Sequence, residues 1–283
     1  MLFVLLSAIC SVLLAHVLKS IETRKLATIN VLTVSYLVAT IVAIGINLWN
    51  GLSLIPDFPL WFWLFVVVIG VLFIANFFIF SKSVEANGVG VTLAAMRVSL
   101  FVPILISVVI YGEEMNLSKI SGIALVFVAM ALFVMARRAL KLEGVSNHIL
   151  LLALFVMSGM ADASMKIYEQ EMMHIASEAH FLGVVFFVAL CIGIAVSIYQ
   201  GNLQKIQISE VKYGIFLGVP NLLTSIFLIF ALTQLDASVV YALVNVLVIV
   251  GGTLLGVLFW KDRLTPKEWA GVFVAATAIV LLS

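Results

Sequence analysis

Ionisable side chains stand inside apolar stretches of this sequence, where charge is costly. Arg97 interrupts the apolar run 89–111. At a helical rise of 1.5 Å per residue it lies about 12 Å along that run. A charge at such depth in hydrocarbon costs roughly 2.5 kcal/mol or more unless it pairs, faces water or reaches back to the interface. If Arg97 lines a cavity, its guanidinium suits a carboxylate or a phosphate. If it snorkels, it reaches toward Glu85. Asp162 stands in the run 148–168, with Lys166 four residues on. The two could form an intrahelical ion pair. Alternatively, Asp162 is a desolvated carboxylate that exchanges a proton against a substrate. His16, in the run 2–20, could relay protons or touch substrate. Its place one turn from Lys19 also suits an interfacial histidine.

Uncharged polar residues extend the set: Asn76, then Asn221 and Thr224-Ser225 beside Pro220, then Tyr241 and Asn245. A proline frees a backbone carbonyl and bends a helix, which membranes tolerate where a cavity is lined. Each residue alone could simply hydrogen-bond two helices together. As a group they read as cavity lining. The expected substrate-binding set is therefore Arg97, Asn76, Asn221, Thr224, Tyr241 and Asn245, with Asp162 and His16 as proton-coupling residues. Glu171, His174 and Glu178 share a helical spacing, with His180 following. A solvated loop accounts for them more simply than a metal site, and no metal is expected. There is no His-Glu-x-x-His, glycine-rich phosphate loop or Gly-x-Ser-x-Gly. No cofactor and no use of ATP are expected.

The elements that must position these residues follow from composition. Of 283 residues, 64% are hydrophobic and 10% charged. Soluble proteins carry roughly 25% charged residues. So few charges cannot clothe a soluble surface, and the chain reads as an integral membrane protein. Each crossing of a bilayer core about 30 Å thick takes roughly 20 apolar residues. Ten such runs are expected: 2–20, 27–48, 60–81, 89–111, 117–136, 148–168, 180–200, 211–233, 238–260 and 266–282. They lack the two-residue alternation of barrel strands, so all are helices. The loops leave no room for a soluble catalytic domain. The N-terminal run has no basic leader and reads as the first span rather than a signal peptide. Cys10 and Cys191 lie in apolar runs and read as packing residues. A net charge of +1 gives no reason to expect a nucleic-acid partner.

Lysine and arginine placement gives an expected orientation. The loops after odd-numbered spans hold twelve: Lys19, Arg24, Lys25, Lys82, Arg137, Arg138, Lys141, Lys205, Lys212, Lys261, Arg263 and Lys267. The other side holds Lys119 and Lys166. That bias places the basic loops in the cytoplasm and both termini outside, in the inner or plasma membrane.

The chain repeats itself. Shifted by 149 residues, Val91 meets Val240, Leu105 meets Leu254, Val108 meets Val257, Tyr111 meets Trp260 and Gly122 meets Gly271. Near the front of each half, Ser11, Lys19 and Glu22 align with Ser158, Lys166 and Glu169. The expected division is 1–141 and 142–283, five spans each. An odd number of spans inverts one half relative to the other. Inverted halves can rock about a central site, which is the physical argument for transport.

The series Pro103…Gly112-Glu113…Gly122 resembles the drug/metabolite transporter superfamily, in particular its ten-span EamA group. The likeness is best over 88–137 and 238–282 and only in outline elsewhere. It departs from the pattern at Lys261-Asp262, which replaces Gly-Glu, and in having no proline opposite Pro103. The resemblance implies two inverted five-helix repeats around a cavity, and export or exchange of small metabolites, amino acids or amphipathic compounds. It also implies cytoplasmic termini, against the charge count, which is followed here. It names no substrate ligands, since its motif lies on scaffold turns. The expected function is secondary transport of a small organic molecule by alternating access, proton-coupled or by exchange. A lipid-linked sugar or head-group flippase is the first alternative. An intramembrane enzyme is the second, for which the polar residues lie at mismatched depths. Substrate, direction and oligomeric state are not specified by the sequence.

Overall fold

The computed structural model describes residues 1–53, 56–136, 147–201, 206–260 and 264–282. The described residues contain helices and connecting turns, with no strand. The helices are α1 (Leu2–Thr23), α2 (Thr28–Trp49), α3 (Leu60–Asn87), α4 (Val89–Val98), α5 (Phe101–Val109), α6 (Leu117–Ala136), α7 (His148–Glu171), α8 (Glu178–Tyr199), α9 (Ile208–Leu232), α10 (Ala237–Trp260) and α11 (Pro266–Leu282). Helices α4 and α5 are two parts of a single span, so the passes agree with the ten expected runs. Among the described residues nine are long and apolar enough to cross a membrane. The tenth, α11, has 17 described residues, or about 25 Å of helix, and packs along α6. The chain is thus a multi-pass membrane protein.

The packing carries the inversion. Helix α1 packs on α9 as α7 packs on α3, and α2 packs on α9 as α8 packs on α3. Helix α1 meets α10 as α7 meets α4 and α5, while α2–α8 and α6–α11 are self-matching pairs. Close approaches repeat the relation residue by residue. A Cβ on Gly218 of α9 would lie 2.6 Å from Val38 Cβ and 2.8 Å from the Ser35 carbonyl of α2. A Cβ on Gly70 of α3 would lie 2.6 Å from Val188 Cβ and 2.9 Å from the Val185 carbonyl of α8. Elsewhere the small residue changes sides: Gly159 of α7 receives Val102 of α5, whereas Gly251 of α10 receives Val12 of α1. Gly122 and Gly271, aligned in sequence, both lie in the α6–α11 contact, against Leu282 and Phe133. Small residues let membrane helices pack closely where no hydrophobic effect drives them together. The boundary expected at 141/142 lies outside the described residues, as do the turn Lys261-Asp262 and six of the fourteen basic residues behind the orientation count.

One irregularity differs from expectation. Pro220 sits inside α9, which continues as one helix from Ile208 to Leu232. The interrupted span is the fourth, at Ser99-Leu100, upstream of Pro103. Pro103 cannot donate to the Ser99 carbonyl one turn back. That carbonyl accepts instead from Val102 N at 2.9 Å, Leu100 N turns back to the Arg97 carbonyl at 3.3 Å, and the Ser99 hydroxyl donates to the Met96 carbonyl at 2.6 Å. The tightened turn ends α4 at Val98, one residue beyond Arg97.

Candidate functional site

Arg97 occupies the last turn of α4, where the carbonyl end of a helix favours a cation. Its Nη1 donates to Asn245 Oδ1 on α10 at 3.3 Å. It therefore reaches across to the other half rather than back to Glu85. Asn245 Nδ2 donates one turn back to the Tyr241 carbonyl at 3.0 Å. The buried Tyr241 hydroxyl donates to the backbone carbonyl of Asp162, on α7, at 2.7 Å. The Asp162 carboxylate and the Arg97 guanidinium attract one another. Four of the expected residues thus form one constellation on α4, α7 and α10, drawn from both halves and placed at the interrupted span. One turn before Asp162 on α7, the Ser158 hydroxyl donates to Asn76 Oδ1 on α3 at 2.9 Å.

Beside this constellation a cavity of about 270 Å³ lies between α4 and α6. Arg97 is the charged residue in its wall; Val98, Phe127, Met130, Val134 and Met135 are among the apolar ones. A polar group would meet the guanidinium and an apolar body would meet α6.

The remaining expected residues go elsewhere. Thr224 lies 2.6 Å from the Ser11 hydroxyl and donates to the Ser7 carbonyl at 3.1 Å, while the Ser7 hydroxyl donates to the Thr224 carbonyl at 3.0 Å. It fastens α9 to α1. Asn221 Nδ2 donates to Ser35 Oγ on α2 at 3.4 Å. His16 sets its ring 5.3 Å from that of Phe259, close to the end of α1. His180 is buried, with Nδ1 2.8 Å from Ser177 Oγ and Nε2 2.7 Å from the Ser53 carbonyl, whereas His174 is exposed. Among the described residues no group of three or more His, Cys, Asp and Glu is placed to hold a metal ion. Both cysteines are free; Cys10 is buried and Cys191 is exposed, so only Cys10 packs inside.

These observations meet the comparisons with known proteins. A model of the EamA-like transporter family matches residues 1–135 and, a second time, residues 146–283. The chain belongs to the EamA-like transporter family. It is 28% identical over 221 residues to an uncharacterized protein of Haemophilus influenzae, covering 76% of this chain and 74% of that one. A protein of known crystal structure aligns with it at a TM-score of 0.79 and 14% identity, over 100% of this chain and 96% of the other, a likeness of fold.

In this EamA-like chain the turn motif has a structural duty. Gly112 takes φ +67°, a left-handed conformation suited to glycine, and sets Glu113 against α10. The Glu113 carboxylate accepts from Ala237 N at 2.7 Å and Ser238 N at 3.0 Å, capping that helix in the opposite half. Lys166, buried, pairs with Glu169 at 2.8 Å and lies 3.7 Å from Glu113, with the Tyr111 ring 5.9 Å away. The ion pair expected between Asp162 and Lys166 is thereby replaced: Lys166 points to the end of its helix. Burial, together with the Glu171 and Glu169 carboxylates, pushes the Tyr111 phenol above its ordinary range. Lys119 pairs with Asp236 on the same face. At the opposite face Glu210 of α9 accepts from Ala27 N and Asn30 Nδ2, each at 2.9 Å, at the start of α2. A carboxylate at each membrane face therefore clasps a helix start of the other half. Sequence reading passed over Glu210. Its signal was a glutamate three residues after Gln207, the spacing of a capping box.

Proposed function

We propose that this EamA-like transporter moves a small amphipathic organic anion by alternating access, with Arg97 as its anion-binding group and Asp162 as its proton-coupling group. One observation carries the reading: Arg97, Asn245, Tyr241 and Asp162 are brought together from both halves at the span that is interrupted among the described residues. Discontinuous spans in inverted-repeat transporters supply helix ends that bind substrate and coupling ions. Here Arg97 stands in the last turn of α4, at its carbonyl end. The size of the cavity supports a small substrate, since sites for drug-sized ligands run roughly 300–1,000 Å³. Its apolar α6 wall supports an amphipathic one.

A second reading, a head-group flippase on the same scaffold, is favoured by one observation. Val98 and Met135, in the cavity wall, are 44% and 54% exposed, so the cavity meets the side of the bundle. The proposed orientation sets the termini and the Lys119–Asp236 face outside, in the inner or plasma membrane. A C-terminal tag protected in intact cells would reverse it.

The deciding experiment screens purified protein against amino acids, nucleosides, phosphorylated sugars, aromatic and aliphatic carboxylates and cationic drugs, by thermal shift and then by proteoliposome flux. Anionic amphiphiles are expected to stabilise the protein and to be transported. Selective transport of cations would overturn the anion assignment. Transfer of a labelled lipid head group between leaflets, without solute flux, would select the flippase.

A further inference from the structure

The turn after α1 and the start of α9 line a second, half-open cavity of about 430 Å³, remote in sequence from the transport constellation. Arg24, Ser209, Lys212, Tyr213 and Phe216 line it. Arg24 lies in the turn just after α1, and Ser209 and Lys212 in the first turns of α9, so the cavity is at the rim of the bundle. The Arg24 guanidinium lies over the Tyr213 ring, 5.5 Å from its centre, which holds the cation in place. Lys212 supplies a second cation beside it. The carboxylate on this turn, Glu210, is buried and turned to Ala27 and Asn30, away from the cavity. Ser209 donates to Gln207 Oε1 at 3.3 Å.

The flank is apolar. Ile208, Ile215 and Phe216 are 77%, 50% and 70% exposed, and Phe216 belongs to cavity and flank alike. Two cations at the rim of the bilayer, one turn above the exposed Ile215 and Phe216, complement a molecule that is anionic at one end and hydrocarbon at the other. Basic pockets at helix ends are known to take lipid head groups in this way. A soluble anion would use the cations and leave that flank without a partner.

We propose that this cavity binds a phosphate ester, supplied by an anionic phospholipid whose acyl chains lie along Ile215 and Phe216. The inference is independent of the transport assignment, because none of its residues belongs to the Arg97 constellation.

Native mass spectrometry of the full-length protein, titrated with phosphatidylglycerol, with phosphatidylcholine or with glycerol 3-phosphate, tests it. Phosphatidylglycerol is expected to bind selectively. The double variant Arg24→Gln/Lys212→Gln should weaken that binding about 25-fold, while Lys267→Gln, a basic residue on the same face outside the cavity, should leave it unchanged. The charge-conserving pair Arg24→Lys/Lys212→Arg should retain most of the binding, which separates loss of charge from loss of fold. Equal binding by wild type and the double variant would overturn the site. Binding of glycerol 3-phosphate as tight as that of the lipid would overturn the lipid as its source.

Discussion

Arg97 on α4 and Asn245 on α10 are 148 residues apart in sequence, yet the guanidinium donates to the Asn245 side chain at 3.3 Å. The bond joins the two halves within their apolar spans, next to the turn that interrupts the fourth span. It gives an intramembrane charge a polar partner on the opposite half. A rocking motion of the halves would remake or break that contact.

Arg97→Ala is therefore expected to weaken binding of the transported anion about 100-fold, and Asn245→Ala about tenfold, in keeping with charge-assisted hydrogen bonds of about 1.5–3 kcal/mol. The double variant should be no worse than Arg97→Ala alone, since Asn245 acts through the arginine. Calorimetry or thermal shift with the best ligand of the screen measures the cycle. Independent, additive losses would mean that Asn245 contacts substrate by itself.

Asp162→Asn removes a titratable group and spares the contact with Tyr241, which uses the backbone carbonyl. Flux in proteoliposomes should lose its response to an imposed proton gradient, while substrate affinity stays within about threefold, a change of under 1 kcal/mol. A response like that of the wild type would remove Asp162 from coupling.

The glycine contacts make a packing prediction. Gly218→Ala and Gly70→Ala each drive a Cβ against a valine and a backbone carbonyl that has little room to yield. Each should destabilise the protein by about 1–3 kcal/mol, read as a lower melting temperature in detergent. Gly252→Ala meets nothing within 4 Å and should be neutral or slightly stabilising.

Glu113→Gln weakens the cap on α10 and takes a carboxylate from beside Lys166. A loss of about 1–2 kcal/mol is expected from the cap and its helix end. Glu114→Gln, at the exposed neighbour, should change stability by less than about 0.5 kcal/mol. Equal melting of the two variants would leave the motif without its clasping role.

Much of the architecture was legible because hydrocarbon imposes simple rules. Span ends read from apolar run length mostly fall within a few residues of the helices, because a buried backbone must close its own hydrogen bonds. The larger differences occur where polar side chains extend a helix beyond the apolar run. Helix α3 runs on to Asn87, with Ser83 bonded to Thr92 at 2.9 Å and Asn87 to the backbone of Asn147. The repeat was visible through Gly122 and Gly271. The exchange of roles between Gly159–Val102 and Val12–Gly251 was hidden, because a contact keeps its volume when large and small residues trade places.

Composition and run length by themselves gave a membrane protein of ten helical spans, the internal repeat gave its two inverted halves, and the turn motif pointed to its family. Those features depend on how each segment meets lipid, a property of the segment alone. Tertiary structure decided which polar residues bond to one another. It turned Thr224 and Asn221 toward α1 and α2, gave Lys166 to Glu113 and Glu169, and put the broken span at Pro103 instead of Pro220. These outcomes depend on which helix faces which. Residues of equal polarity are indistinguishable until neighbouring helices supply partners, and only then does Arg97, with Asn245, Tyr241 and Asp162, stand apart from the scaffold.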